Sequence, residues 1–310
     1  MWFLVSAIVF GALFTIVFKV CQSRKIDTNQ VIFFNYLTAL LFIAIPAAVG
    51  LAVGDTAPSD YSLPFSSCIL ALAEGFLFMF SFVLMDIGVL RAGVALTTVS
   101  SKASLILPVI LSWIFLSQPA PAWIPVGLVL LALALTVVPA ESQKQDHVIP
   151  DRTEGQKRRT IFALFAVFLC YGCSDFGLKI VQHSVQVNLD VTARTDTHLD
   201  AMTALIFLSA SILSLIHCFA KSSFRKHPVK IGSIIGGLSL GIANTLCTAS
   251  LLRALKVIST DILYPVYNIG VVLIATVAGI IFFRERLKPV QFIGIATAIL
   301  AIILLRLYIK

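Results

Sequence analysis

The chain has 310 residues, of which 59% are hydrophobic and only 12% charged, and its formal net charge is +8. Soluble globular domains are nearer half apolar and a quarter charged, so this composition, with a mean hydropathy of +0.99, argues against a soluble enzyme or solenoid and for a lipid bilayer. The excess of positive charge sits in loops between apolar runs, which argues against a nucleic-acid partner.

Ten runs of about 19 to 25 residues are apolar all round and long enough to cross a hydrocarbon core of about 30 Å. They fall at about 2–20, 30–53, 66–90, 93–116, 121–139, 160–182, 199–219, 229–252, 261–283 and 289–308. The first run, from MWFLVSAIVF to Lys19, has no basic leader and exceeds signal-peptide length, so it reads as a transmembrane helix with no targeting segment. The loop GDTAPSDYSLP carries Asp55 and Asp60, helix 3 carries Glu74 and Asp86, and helix 4 carries Lys102. Helix 5 opens at PAPAWIP, where prolines cost little because first-turn N–H groups are unpaired anyway. The most polar stretch, ESQKQDHVIPDRTEGQKRRT, is read as a basic cytoplasmic linker over 141–159. Helix 6 carries Asp175 and Lys179, and an acidic loop around Asp190, Asp196 and Asp200 precedes helix 7. In helix 8, Gly232, Gly236, Gly237 and Gly241 are spaced for the close approach of another helix. Helix 9 holds Tyr264, Pro265, Tyr267 and Asn268, and Pro265 predicts a local irregularity there because it lacks an N–H.

The chain also repeats itself. LLRALKVIS at Leu251 to Ser259 answers VLRAGVALT at Val89 to Thr97, aligning Arg253 with Arg91 and, at the same offset, Tyr264 with Lys102. Lys179 closes SDFGLK as Lys19 closes FTIVFK, and Glu285 precedes Gly294 with the spacing by which Gln118 precedes Gly127. The halves are 1–140 and 160–310, with five helices each. Fifteen of the 23 Lys and Arg residues fall in alternate loops, including Arg24, Lys25, Arg91, Arg158, Lys221, Lys230, Arg284 and Lys288. Five, namely Arg194, Arg253, Lys256, Arg306 and Lys310, fall on the opposite side with most of the acidic loop residues. Positive loops stay in the cytoplasm, which places both termini outside. An odd number of helices per half makes the repeat inverted, the arrangement in which a central site opens to either side by rocking.

Several motifs fail on context. Cys170 and Cys173 form C-x-x-C without a soluble redox-fold pattern, and the histidines have no metal-ligand spacing. Gly237 to Gly241 matches G-x-S-x-G, but inside a helix rather than at a strand-to-helix elbow. No glycine-rich phosphate loop is visible. Neither a cofactor, a metal nor enzymatic activity is expected.

LLRALKVIST, FFRERLKPVQFIG, YGCSDFGLK and the five-plus-five layout resemble the drug/metabolite transporter superfamily with its EamA-type repeat, over nearly the whole chain. The resemblance implies a multi-pass protein of the cell (inner) membrane, monomeric or homodimeric, that exports a small polar or amphipathic metabolite by alternating access. An uptake carrier or exchanger of the same fold, or a non-transporting scaffold, is the alternative, and a proton or counter-substrate is the expected coupling partner.

A charged side chain at a helix centre costs about 2.5 to 3.5 kcal/mol on insertion scales and therefore faces a bundle interior or water. On that rule the candidate substrate-binding residues are Lys102, Glu74, Asp175, Asn244, Tyr264, Tyr267 and Asn268. Lys102 is expected to be the principal charge and Glu74 its partner in the empty site. Lys19, Lys179, Asp86, Arg91 and Arg253 sit near helix ends, where snorkelling or capping explains them.

Overall fold

A computed structural model describes residues 2–24, 26–92, 94–116, 154–188, 195–221, 223–226 and 228–283. The helices expected at about 121–139 and 289–308, and most of the linker, lie outside these residues. Among the described residues every regular element is helical: α1 Trp2–Ser23, α2 Thr28–Val53, α3 Phe65–Ala92, α4 Val94–Ala103, α5 Ile106–Leu116, α6 Glu154–Asn188, α7 Thr195–Ala220, α8 Ile231–Ala254 and α9 Thr260–Phe283. Two single turns, Pro58–Tyr61 and Ser223–Lys226, sit in connections. Seven helices, α1, α2, α3, α6, α7, α8 and α9, are long and apolar enough to cross a membrane, so this is a multi-pass membrane protein. Their outward residues, such as Phe3, Phe42, Phe76, Phe162 and Ile216, are large, apolar and exposed, as suits contact with lipid.

The ends of these helices follow local chemistry. Asp27 caps α2, its Oδ1 accepting from the backbone N–H of Asn29 at 2.9 Å and of Gln30 at 3.4 Å. Gly54 ends the same helix at φ 83°, a left-handed conformation that glycine adopts without penalty. Two expectations need correcting. Asp196 and Asp200 are not in a loop: they lie in the opening turns of α7, where carboxylates meet the positive end of the helix dipole. Helix α6 starts at Glu154, inside the stretch read as linker, because Glu154 and the run QKRR at 156–159 are good helix formers that outweigh Gly155.

The described chain forms two compact units, each assembled from both halves of the sequence: residues 1–79 with 177–257, and 80–176 with 258–310. In the first unit α8 packs against α1 and α2, and α2 against α7. Its glycines make the contacts possible. A Cβ on Gly236 would lie 2.7 Å from Cys21 Sγ, and one on Gly241 would lie 2.5 Å from the carbonyl oxygen of Asn35 and 3.0 Å from the amide of Ala39. Backbone so close leaves no room for a side chain, and it allows hydroxyls to reach across. Thr245 Oγ1 donates to the Ala39 carbonyl at 3.2 Å, and the Ser250 and Ser6 hydroxyls meet at 3.0 Å. In the second unit, Gly172 of α6 takes the side chain of Leu107, and Ser100 Oγ of α4 donates to the Leu164 carbonyl at 2.6 Å.

Gly241→Ala should lower stability by about 1 to 3 kcal/mol, because the atoms it strikes are backbone and cannot swing aside. Gly155→Ala, whose added methyl meets nothing within 4 Å, should be neutral or slightly stabilising. Thermal unfolding of both variants in detergent checks the contrast.

Candidate functional site

The segment SSKASLILP, Ser100 to Pro108, determines the geometry of the second unit. Serines compete with the helix for backbone hydrogen bonds, and Pro108 removes an N–H and presses on the carbonyl four residues back, at Ser104. The helix expected over 93–116 is accordingly not continuous: α4 stops at Ala103 and α5 begins at Ile106. The loose carbonyls are recaptured locally. Ser104 Oγ donates to the Ser101 carbonyl at 2.6 Å, Leu107 N–H to Ser104 at 2.9 Å, and Leu105 N–H to Lys102 at 3.4 Å. Pro265, by contrast, is buried within an unbroken α9. The irregularity expected at Pro265 occurs at Pro108 instead. Pro265 lies past the first-turn N–H groups that go unpaired at a helix start, and α9 continues through it all the same.

Lys102 occupies the last turn of α4, where a cation favours the negative helix end, and it is half-buried. Its ammonium donates to Asn268 Oδ1 of α9 at 3.1 Å. Asn268, 4% exposed, spends its amide on the Tyr264 carbonyl at 3.1 Å, and the Tyr264 hydroxyl donates to the backbone carbonyl of Asp175 in α6. The Asp175 carboxylate in turn lies within the electrostatic reach of Lys102. Three elements, α4, α6 and α9, thus bring Lys102, Asp175, Tyr264 and Asn268 into one polar cluster. Tyr267 is half-buried on α9, three residues beyond Tyr264.

Glu74 and Asn244 belong to the other unit. Glu74 is 1% exposed on α3, and its carboxylate fills the space a Cβ would take at Gly177 of α6. Asn244 of α8 donates to Asn35 Oδ1 of α2 at 3.4 Å. Asn35 was open to the rule that a polar residue inside an apolar run packs inward, since it interrupts FFNY. Lys179 is not snorkelling. At 4% exposure it donates to Gln182 Oε1 at 2.8 Å and to the Leu255 carbonyl at 3.3 Å, closing the end of α8. Beside that end Arg253 pairs with Asp200 at 2.7 Å and Lys256 with Asp196 at 3.0 Å, an ion network joining α7 to α8 and the turn after it.

Cys170 is buried with its Sγ 3.2 Å from Ser81 Oγ, whereas Cys173 is exposed. Among the described residues no group of three His, Cys, Asp or Glu could hold a metal ion. Ser239 of the G-x-S-x-G match lies in the interior of α8, where no elbow presents it.

No protein-family model matches the chain. It is 24% identical over 307 residues to an uncharacterized protein of Haemophilus influenzae, covering 96% of this chain and 95% of that one. A crystal structure of another protein superposes with a TM-score of 0.68 at 12% identity, covering 97% of this chain and 98% of its own. The fold therefore recurs at nearly full length in a protein of very different sequence.

The Lys102–Asn268 contact is testable by a double-mutant cycle. Lys102→Met and Asn268→Leu should be non-additive in thermal unfolding by at least about 0.5 kcal/mol. Additive effects would show that the two side chains do not interact.

Proposed function

We propose that this chain is a secondary transporter of the drug/metabolite transporter superfamily, built from two inverted five-helix EamA-type repeats. Ten transmembrane helices in the cell (inner) membrane export a small polar or amphipathic metabolite by alternating access. One observation carries the reading: a lysine ammonium held by Asn268 at a break in an apolar helix. Discontinuous helices at membrane depth are tolerated where they are buried in protein or line a cavity, and in transporters such breaks form binding sites.

The repeat supports it further. Lys102 and Tyr264 align between the sequence halves, and Asn268 links the two side by side. Repeat-equivalent residues approach one another near a pseudo-twofold axis, which is where an inverted-repeat carrier places its substrate. Each compact unit also draws on both halves, as an intertwined duplication requires. A scaffold would have no use for a charge that costs about 2.5 to 3.5 kcal/mol to insert.

A stability-shift screen against metabolite pools should supply a substrate, since a ligand stabilises the state it binds. In vesicles reconstituted with the protein, Lys102→Met should then abolish transport of that substrate while leaving membrane insertion intact. Wild-type rates would reduce Lys102 to a structural role. For orientation, a cytoplasm-dependent reporter fused after Lys310 should stay silent, and strong signal would reverse the assignment of both faces.

A further inference from the structure

We propose that Lys179 and Gln182 of α6 form a buried binding site for one small monovalent anion, a halide or a small carboxylate, beside the end of α8. The inference goes beyond the transporter reading and does not depend on it.

All the groups concerned lie in the first compact unit. Lys179 and Gln182 are one turn apart on α6 and only 4% and 1% exposed, and the nearby Leu178, Val181, Leu252 and Leu255 are buried and apolar. An ammonium has three N–H groups. That of Lys179 donates to Gln182 Oε1 at 2.8 Å and to the Leu255 carbonyl at 3.3 Å, both neutral acceptors, and it meets no carboxylate among the described residues. Gln182 spends its oxygen on Lys179, while its buried Nε2 has no hydrogen-bond partner among the described residues. The oxygen and nitrogen of a planar amide are about 2.2 Å apart, so Nε2 lies within about 5 Å of the ammonium. One anion at about 2.9 Å from both donors spans that separation.

Charge counting gives the sign. Around the end of α8 stand three cations, Lys179, Arg253 and Lys256, and two carboxylates, Asp200 and Asp196, which pair with Arg253 and Lys256. Three less two leaves one positive charge, and it falls on Lys179, the most deeply buried of the five. The carbonyl end of α8 contributes about half a negative charge, shared among three cations, which leaves the ammonium short. The Glu74 carboxylate lies against Gly177, two residues before Lys179 and so about 200° around α6 from it. Capping of α8 therefore explains the bond to Leu255 but neither the surplus charge, which is costly at such burial, nor the Gln182 N–H groups. A cation would add to the surplus, a water molecule would leave it, and a divalent anion would overshoot it. A monovalent anion meets both needs, and the enclosure of the two side chains keeps it small.

The test uses purified full-length protein in nanodiscs of zwitterionic lipid, exchanged into sodium gluconate, whose anion is too bulky for an enclosed site. Chloride, bromide, formate and sulfate are titrated in at constant ionic strength while the unfolding midpoint is followed. A small monovalent anion should raise the midpoint by at least about 3 °C with one-site saturation, and sulfate should not. Formate acting where the halides do not would assign the site to a carboxylate, and the reverse to a halide. Gln182→Glu supplies the missing negative charge from the chain itself, so it should abolish the anion response and unfold in gluconate near the midpoint of anion-saturated wild type. Gln182→Leu should keep the fold and weaken the anion at least about tenfold. Lys179→Met also removes a cap from α8, so the Gln182 variants carry the decision. The proposal fails if chloride, bromide and formate all leave the wild-type midpoint at its gluconate value, or if Gln182→Glu keeps the wild-type response.

Discussion

Every backbone N–H and C=O inside a bilayer must find its partner within the protein, because no water is there to serve. That constraint makes the interruption at Ser104 and Leu105 a designed feature. Breaking a helix there frees carbonyls that lipid cannot satisfy, and the chain recaptures them with the Ser104 hydroxyl and two tight-turn amides. The interruption leaves Lys102 at the terminus of α4, where its charge favours the helix dipole and its stem can reach Asn268 on α9. A continuous helix would place the same lysine on a regular surface with an ordinary intrahelical carbonyl behind it.

The two compact units solve the complementary problem of holding helices together without a hydrophobic drive, lipid tails being as apolar as leucine. In the first unit the solution is proximity. Gly236, Gly237 and Gly241 bring α8 onto Cys21 of α1 and onto the backbone of α2, and the short distance lets Thr245, Ser250 and Asn244 bond across the contacts. In the second unit larger groups interlock, with Leu107 seated on Gly172 and Phe115 against Phe176 at a ring separation of 6.0 Å. These contacts fix the neighbours of α4 and α5 and so hold open the geometry of the break.

Much of this was readable in the linear chain. The seven long described helices fall where apolar runs of membrane length predicted them, since hydropathy over such a window responds to burial in lipid rather than to tertiary detail. The glycine stripe of α8 was recognisable for the same reason: spacing on a helix is local. Other features depend on competition between neighbours. Pro265 and Pro108 look alike in sequence, yet α9 runs unbroken through Pro265, whereas just before Pro108, itself preceded by three serines within eight residues, one helix ends and another begins. The intramembrane charges could be named from the sequence but not paired, because pairing depends on which helices meet: Asp175 shares a unit with Lys102, and Glu74 is set against Gly177 in the other.

The two inward lysines show why burial alone does not identify a site. Lys179 is the more deeply buried, but its ammonium is engaged by a helix-terminal carbonyl at Leu255 and by Gln182 one turn along its own helix. Moving that ammonium would uncap α8, so its position is tied to the stability of a long element. Lys102 is half-exposed and bonds to a side chain on another helix, Asn268. That bond can be exchanged by rotating side chains, with no backbone bond broken. Of two charges that the bilayer penalises alike, Lys179 is tied to a backbone carbonyl and Lys102 to a side chain.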